Sequence, residues 1–275
     1  MHTRMPICRP LLACTLIWGM LAAPVAAPAD AATLHERSLE LLAHTAKTAD
    51  PADFSFVVMG DSQENIRMLR KVLRQSCTFK PLFILHNGDI TDGGTRTEFT
   101  RFLTVLTQEA ANVPVFVVRG NHERDPQLFR EMIGPQQFRL DLPHLDLVVA
   151  AVDNSEFDLS APARNFLKSA VASPRRYRFI AMHIPPYSTT WNWFTFTSGM
   201  HELLAMLSIH RPTTAFFSHV HQYSRDNSRG YPMVVTGGAG ASLHGRDKFP
   251  GEPVHHFVLV RVTKEAVTTR LVKVE

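Results

Sequence analysis

The 275-residue chain reads as an α/β protein whose sheets are buried between helices, and three observations point there. Short apolar runs recur from Asp53 to the end of the chain, segments with apolar residues at helical spacing lie between them, and most runs are continuously apolar rather than alternating. Strands covered on both faces look like this, whereas strands with one wet face alternate. At 45% hydrophobic and 20% charged residues, the composition is that of a soluble globular chain with one large domain or two small ones.

The N-terminus departs from that pattern. Arg4 and Arg9 precede the apolar stretch "LLACTLIWGMLAAPVAA", and small residues follow in "APADAAT". This order is expected of a secretory signal peptide over 1–31, cleaved after Ala29 or Ala31, and hence of a periplasmic or secreted protein. "LLAC", ending at Cys14, lies before most of the apolar stretch, which argues against a lipid anchor. An uncleaved membrane anchor is the alternative, although the run contains Pro24 and falls short of the ~20 residues that a spanning helix needs. No later segment is apolar for long enough, so the mature chain is expected to have no integral membrane segment. Cys8 and Cys14 fall in the leader, leaving Cys77 and no intramolecular disulfide. Residues 32–52 read as a short helix and a Pro-containing linker.

The domain proper is expected over 53–275. Its strand-like runs are "FSFVVMG", "LFILHNG", "VPVFVVRG", "LDLVVAAVD", "YRFIAMH", "TAFFSH" and "YPMVVTGG". The final pair "HHFVLVRV" and "VTTRLVKVE" has no helix between its members and suggests a second, partly antiparallel sheet. Helical spacing shows in Ile66, Leu69 and Leu73, in Phe99, Phe102, Leu103 and Leu106, in Phe166, Leu167 and Ala170, and in Met200, Leu203, Leu204 and Leu207. The first of these helices carries Arg67, Arg70, Lys71 and Arg74 on its other face, a solvated surface or an attractor of anions. The net charge of +4 is otherwise weak evidence about partners.

Five apolar runs end in residues able to bind metal: Asp61 with Gln63, Asp89, Asn121 with His122, His183, and His219 with His221. Residues two apart on a strand share a face, and ligands of open α/β sheets sit beyond the carboxyl ends of the strands. Singly, Asp and Asn after a strand are turn formers and a histidine there is a satisfied side chain. Their joint occurrence at five strand ends is not explained by turns.

The ordered set "GDSQ" (60–63), "GDITDGG" (88–94), "GNHE" (120–123), "HIPP" (183–186) and "SHVH" (218–221) resembles the calcineurin-like metallophosphoesterase superfamily from about residue 53 onward. The resemblance implies a four-layer α-β-β-α sandwich of two mixed sheets flanked by helices, with a dinuclear metal site at the strand C-terminal ends. It implies Asp89 as the bridging carboxylate, Asp61, Gln63 and His221 completing one site, and Asn121, His183 and His219 the other. A mixed N/O donor set without thiolate suits Mn, Fe or Zn. Two such ions hold a hydroxide and stabilise attacking and departing oxygens at phosphorus. By the same resemblance His122 is the general acid at the leaving-group oxygen, and Asp92 orients it.

Two positions depart from the pattern. Gln63 stands where the superfamily usually has His, offering a neutral amide oxygen for an imidazole, so that site is expected to be looser or Gln63 to act through water. Ser218 replaces Gly, a small-for-small change expected to be tolerated. Gly93 also stands where protein Ser/Thr phosphatases of the superfamily carry Arg, against a phosphoprotein substrate.

A small phosphate mono- or diester is therefore the expected substrate. Tyr187, Trp191, Trp193, Phe194 and Phe196 read either as a lid for an apolar or aromatic leaving group, such as a nucleoside or aryl ester, or as rings packed on the domain or forming a partner or membrane-surface patch. His244 and Arg246, in a glycine-rich loop, are candidate substrate contacts or solvated residues. The alternatives are a metal-dependent nuclease, for which only the 67/70/71/74 cluster speaks, and a metal-stabilised non-catalytic binding protein, which has no need of an unligated His122.

Overall fold

The computed structural model describes residues 32–245 and 250–275, so the expected leader over 1–31 and Arg246 lie outside the described residues. Two mixed sheets form the centre. One has strand order β11-β10-β1-β2-β3, built from β1 (Asp53–Met59), β2 (Ile84–His86), β3 (Val115–Val117), β10 (His256–Thr263) and β11 (Val267–Lys273). The other has order β4-β5-β6-β7-β9-β8, from β4 (Phe138–Leu142), β5 (Leu147–Ala151), β6 (Tyr177–Ala181), β7 (Thr214–Phe217), β8 (Tyr223–Asp226) and β9 (Met233–Thr236). The helices are α1 (Leu34–Thr48), α2 (Ile66–Cys77), α3 (Arg96–Glu109), α4 (Pro126–Met132), α5 (Ala161–Val171) and α6 (Met200–His210).

The pleat of the strands generates the layers. In β1, Phe54, Phe56 and Val58 enter a core shared with Phe179 and Phe216 of the second sheet, while Val57 and Met59 face α2 and α3. In β7, Phe216 points to that shared core, and Ala215 and Phe217 pack with Leu167 of α5 and Leu203 of α6. Each sheet is thus covered on both faces, the reason its strands are continuously apolar, and the expected four-layer sandwich is what forms.

The C-terminal strands do not make the expected second sheet. β10 pairs antiparallel with β1, from Asp53–Thr263 to Val58–Val258, and β11 pairs with β10, so both extend the first sheet. The second sheet gains its antiparallel edges from β4 and β8, neither of which the apolar runs disclose. "FRLDL" exposes Arg139 and Asp141, and "YSRD" exposes Arg225, as edge strands do. The short α4 was also missed; Asp125 caps it by accepting from the N–H of Gln127 and Leu128, and Pro126 fills its first turn.

Residues 32–52 pack on the same body. The Thr33–Glu36 capping box starts α1, and Leu42 and Ala46 enter the inter-sheet core. Ser38 Oγ donates to Val115 O (2.8 Å) and accepts from Val115 N (3.0 Å), covering the edge strand β3 as a partner strand does.

Phe56 lies at the centre of the inter-sheet core, fully buried, stacked on Phe83 at 4.7 Å and edge-on to Phe179 at 4.9 Å between ring centroids. Phe56→Ala is expected to lower stability by about 3–5 kcal/mol, measured by urea unfolding; a loss below 1 kcal/mol would mean that the two sheets collapse around the void.

Candidate metal centre

The loops after β1, β2, β3, β6 and β7 leave neighbouring parallel strands at matched height. Met59 is level with His86 and His86 with Val117, as Ala181 is with Phe216. Two glycines are required where the loops cross. A Cβ on Gly88 would stand 2.7 Å from His183 Nδ1 and 2.8 Å from Gly120 N, and one on Gly120 would overlap Asp89. Asp61 (φ 57°), Gln63 (φ 43°), Asp89 (φ 55°) and His219 (φ 66°) all lie in the left-handed region. Such positions cost about 1–3 kcal/mol each and persist where surrounding structure imposes them.

Both buried aspartates divide their oxygens in the same way. Asp61 Oδ2 accepts from His219 N (2.9 Å) and Asp89 Oδ1 from His122 N (3.0 Å). The remaining oxygens, Asp61 Oδ1 and Asp89 Oδ2, are buried without a hydrogen-bond partner, as is His219 Nε2. Asp61 Oδ1 is 3.4 Å from His221 Nε2, and Asp89 Oδ2 is 3.3 Å from His183 Nε2. The histidines have their other nitrogens engaged: His183 Nδ1 with Asn87 O (2.7 Å) and His221 Nδ1 with Ser242 O (2.8 Å). A ring that donates from Nδ1 to a carbonyl turns an Nε2 lone pair into the site.

Asn121 Oδ1 stands 3.0 Å from His183 Nε2. Two ligand groups result, Asp61–Asp89–His221 and Asp89–His183–His219, with Asp89 in both. Lone pairs facing one another across a buried space fit a cation between them, and the N/O donors without thiolate suit a transition metal. Burial opposes charge on His183, yet the Asp89 carboxylate raises it to about 10, whereas burial and then the His183 charge lower His219 to about 3. Burial also opposes the ionisation of Asp61 and Asp89, but the surrounding imidazoles hold both below the ordinary carboxylate range.

Of the expected ligands, Asp61, Asp89, Asn121, His183, His219 and His221 converge. Gln63 joins them through its backbone, its N–H donating to Asp89 O (2.9 Å). Ser218 is accommodated: its hydroxyl donates to Thr236 O (2.9 Å) in space that Gly60 leaves open.

His122 stands at the rim, its side chain 29% exposed. The contact with Asp92 runs mainly through the main chain: His122 Nδ1 is 2.6 Å from the Asp92 carbonyl and 3.7 Å from its carboxylate, which is exposed. Glu98, whose side chain closes the α3 capping box with Thr95, also accepts from Asp92 N (3.2 Å) and Gly93 N (2.8 Å), so the cap of α3 holds that carbonyl in place.

Sequence reasoning missed Glu123. Its buried carboxylate accepts from Asp89 N, Thr91 N, Thr91 Oγ1 and Gly120 N at 2.8–3.0 Å, tying the second and third loops together. Burial and the Asp89 charge push its carboxyl up to about 7, against the pull of those donors. Its place as the last residue of "GNHE" was the available signal. Asn87, whose carbonyl accepts from His183, was missed as well.

The aromatic segment divides. Trp191 and Phe196 are buried, while Tyr187, Trp193 and Phe194 are exposed. His244 stacks on His221 at 4.5 Å and accepts from its N–H through Nδ1 (3.2 Å). The basic face of α2 is largely neutralised: Arg70 and Arg74 pair with Glu109 at 2.5 and 2.6 Å, and Lys71 donates to Glu275 O. A cavity of about 840 Å³ lined by Phe54, Phe79, Arg261 and Arg270 contains none of the ligand residues.

Comparison with known proteins gives this arrangement its family. A probable glycerophosphodiester phosphodiesterase of Arcobacter nitrofigilis is 37% identical over 70 residues, covering 26% of this chain and 24% of that protein. The chain thus spans about a quarter of the length of that relative. A purple acid phosphatase from yellow lupin seeds superposes with a TM-score of 0.69 at 15% identity, over 81% of this chain and 52% of that one. The Plasmodium inner-membrane-complex anchor GAP50 superposes with a TM-score of 0.64 at 15% identity, over 81% and 85% of the two chains. Both share the fold. The model of the calcineurin-like phosphoesterase family matches residues 54–223, which hold every candidate ligand named above, and the chain belongs to that family.

Proposed function

We propose that the chain is an exported, metal-dependent phosphohydrolase that cleaves small phosphate mono- or diesters with His122 as general acid. The observation that carries this reading is the pair of ligand groups sharing Asp89, with one further imidazole held at their rim and outside both groups. The name of the Arcobacter relative favours a diester. Bound transition-metal ions supply Lewis acidity toward phosphoryl oxygens and lower the pKa of water.

The chain's own residues do the rest. Asp61, Asp89 and His221, with Gln63, would hold one ion, and Asp89, Asn121, His183 and His219 the other. The Asp92 carbonyl fixes the proton of His122 on Nδ1, which leaves Nε2 to present a second proton to the departing oxygen. Hydrolysis of p-nitrophenyl phosphate or bis-p-nitrophenyl phosphate with Mn, Fe or Zn, abolished by EDTA, is the test. Cleavage of single-stranded DNA alone would favour a nuclease, and no turnover of any of these a binding protein.

Three outcomes follow from these assignments. His122→Ala should lose about 10²–10⁴-fold in kcat while keeping its metal, and less for aryl leaving groups, which need less protonation. Metal loss alongside activity would make His122 a ligand.

An ion beside Gln63 would have one imidazole against two for its neighbour. On dialysis it should leave first, Gln63→His should retain it, and Asp89→Asn should weaken both sites. Metal analysis decides: two ions kept by wild type and no gain in Gln63→His would end the weak-site idea.

The basic, apolar and small-residue order of the leader supports export. N-terminal sequencing of the protein from the periplasmic or culture fraction should find a start near Asp30 or Ala32, and Met1 in a cytoplasmic fraction would contradict it.

A further inference from the structure

Two exposed phenylalanines stand beside the metal centre in backbone conformations that bulky residues rarely adopt. Phe157 (φ 58°) is 43% exposed and Phe194 (φ 54°) is 51% exposed. Both rings lie nearly perpendicular to the His219 imidazole, with centroids 5.4 and 5.8 Å from it. Phe194 also lies 5.5 Å from His244 and nearly parallel to it. A ring that is both wet and in the left-handed region is disfavoured twice, and such outliers cluster at ligand clamps.

Surrounding structure braces both positions. Phe157 N donates to Asn154 O (3.0 Å), and Asn154 is locked by reciprocal bonds with Ile184 at 2.7 and 3.1 Å. Arg119, itself buried, holds Ser155 Oγ (2.8 Å) and Glu156 (2.7 Å) just before it. On the other loop, buried Trp191 donates to Pro186 O (2.8 Å), and the Ser188 hydroxyl bonds Asp226. A parallel bridge at Asp158–Ser198, with Leu159 N donating to Ser198 O (2.9 Å), joins the two loops.

We propose that Phe157 and Phe194 form the walls of a subsite that receives a planar aromatic group of the phosphoester, with His244 backing the Phe194 ring. The proposal rests on the phosphohydrolase reading, because a phosphoryl group at the ligand cluster brings its ester substituent to the rim where these rings stand. The solvent-exposed parts of these two rings reward a flat π-system, whereas a small alkyl substituent gains little from them. Sequence reasoning had named Phe194 among five rings, but Phe157 comes from a separate loop.

Calorimetric titration of the Mn²⁺-loaded protein with methylphosphonate, phenylphosphonate and a nucleoside 5′-phosphonate tests this. Wild type should bind at least one of the two aromatic ligands about tenfold or more tighter than methylphosphonate. Phe157→Ala and Phe194→Ala should each reduce that ratio about three- to tenfold without changing methylphosphonate binding. Phe194→Tyr, which keeps a planar ring, should preserve the ratio. So should Trp193→Ala, which removes an exposed ring of the same loop that has no described contact with the site imidazoles. The tighter of the two aromatic ligands identifies the occupant as a nucleobase or an aryl group. Equal binding of methyl and aromatic phosphonates by wild type, or a ratio that survives both alanine substitutions, overturns the subsite and leaves the hydrolase reading standing. Failure of every phosphonate to bind would count against the phosphoester reading itself, and the subsite with it.

Discussion

The site depends on one arrangement: each buried aspartate is held by a backbone N–H from another loop through one oxygen and keeps the other oxygen for the centre. The Asp61–His219 bond crosses from the first sheet to the second, and the Asp89–His122 bond links the loops after β2 and β3. Buried carboxylates left with bare oxygens are unfavourable unless something positive faces them. Against burial, the aspartates raise the pKa of His183 and His221, which face those oxygens, and a cation held between them would supply the charge outright. The inter-sheet core of phenylalanines therefore does more than stabilise the domain, since it sets the distance across which Asp61 meets the second sheet.

Around these carboxylates, fixed main-chain groups take the load that flexible side chains carry poorly. Glu123 gathers four donors from the loops after β2 and β3, and Glu98 reaches from its helix cap to the turn that carries the Asp92 carbonyl. Arg119 is buried yet paired with Asp153 and Glu156, and it ties the loop after β3 to the loop after β5. Such braced geometry lets four site residues remain in the left-handed region without glycine.

The match to the family model ends at Tyr223, and structure beyond that point completes the centre. The loop after β9 brings Gly237 against Asp61, and Ser242 and His244 against His221. β10, which pairs with β1, also follows it. Two loops within the matched segment carry Phe157 and Phe194. The core chemistry and the ring-lined rim thus rest on different parts of one scaffold, and at 15% identity the shared fold with the lupin phosphatase leaves the rim undetermined.

The sequence by itself determined the layers and named the candidate ligands, six of which converge: Asp61, Asp89, Asn121, His183, His219 and His221. Continuous apolar runs such as "FSFVVMG" require cover on both faces, and Asp or His at strand ends is local information carried in adjacent residues. Tertiary structure alone decided the rest. The edge strands β4 and β8 are half polar and gain their identity only from a neighbour, and β10 and β11 joined the first sheet because β1 offered the free edge. Asp92 acts on His122 chiefly through a carbonyl, which no residue type announces. Phe157 reaches His219 from a loop more than sixty residues away in the chain, a distance bridged only by packing.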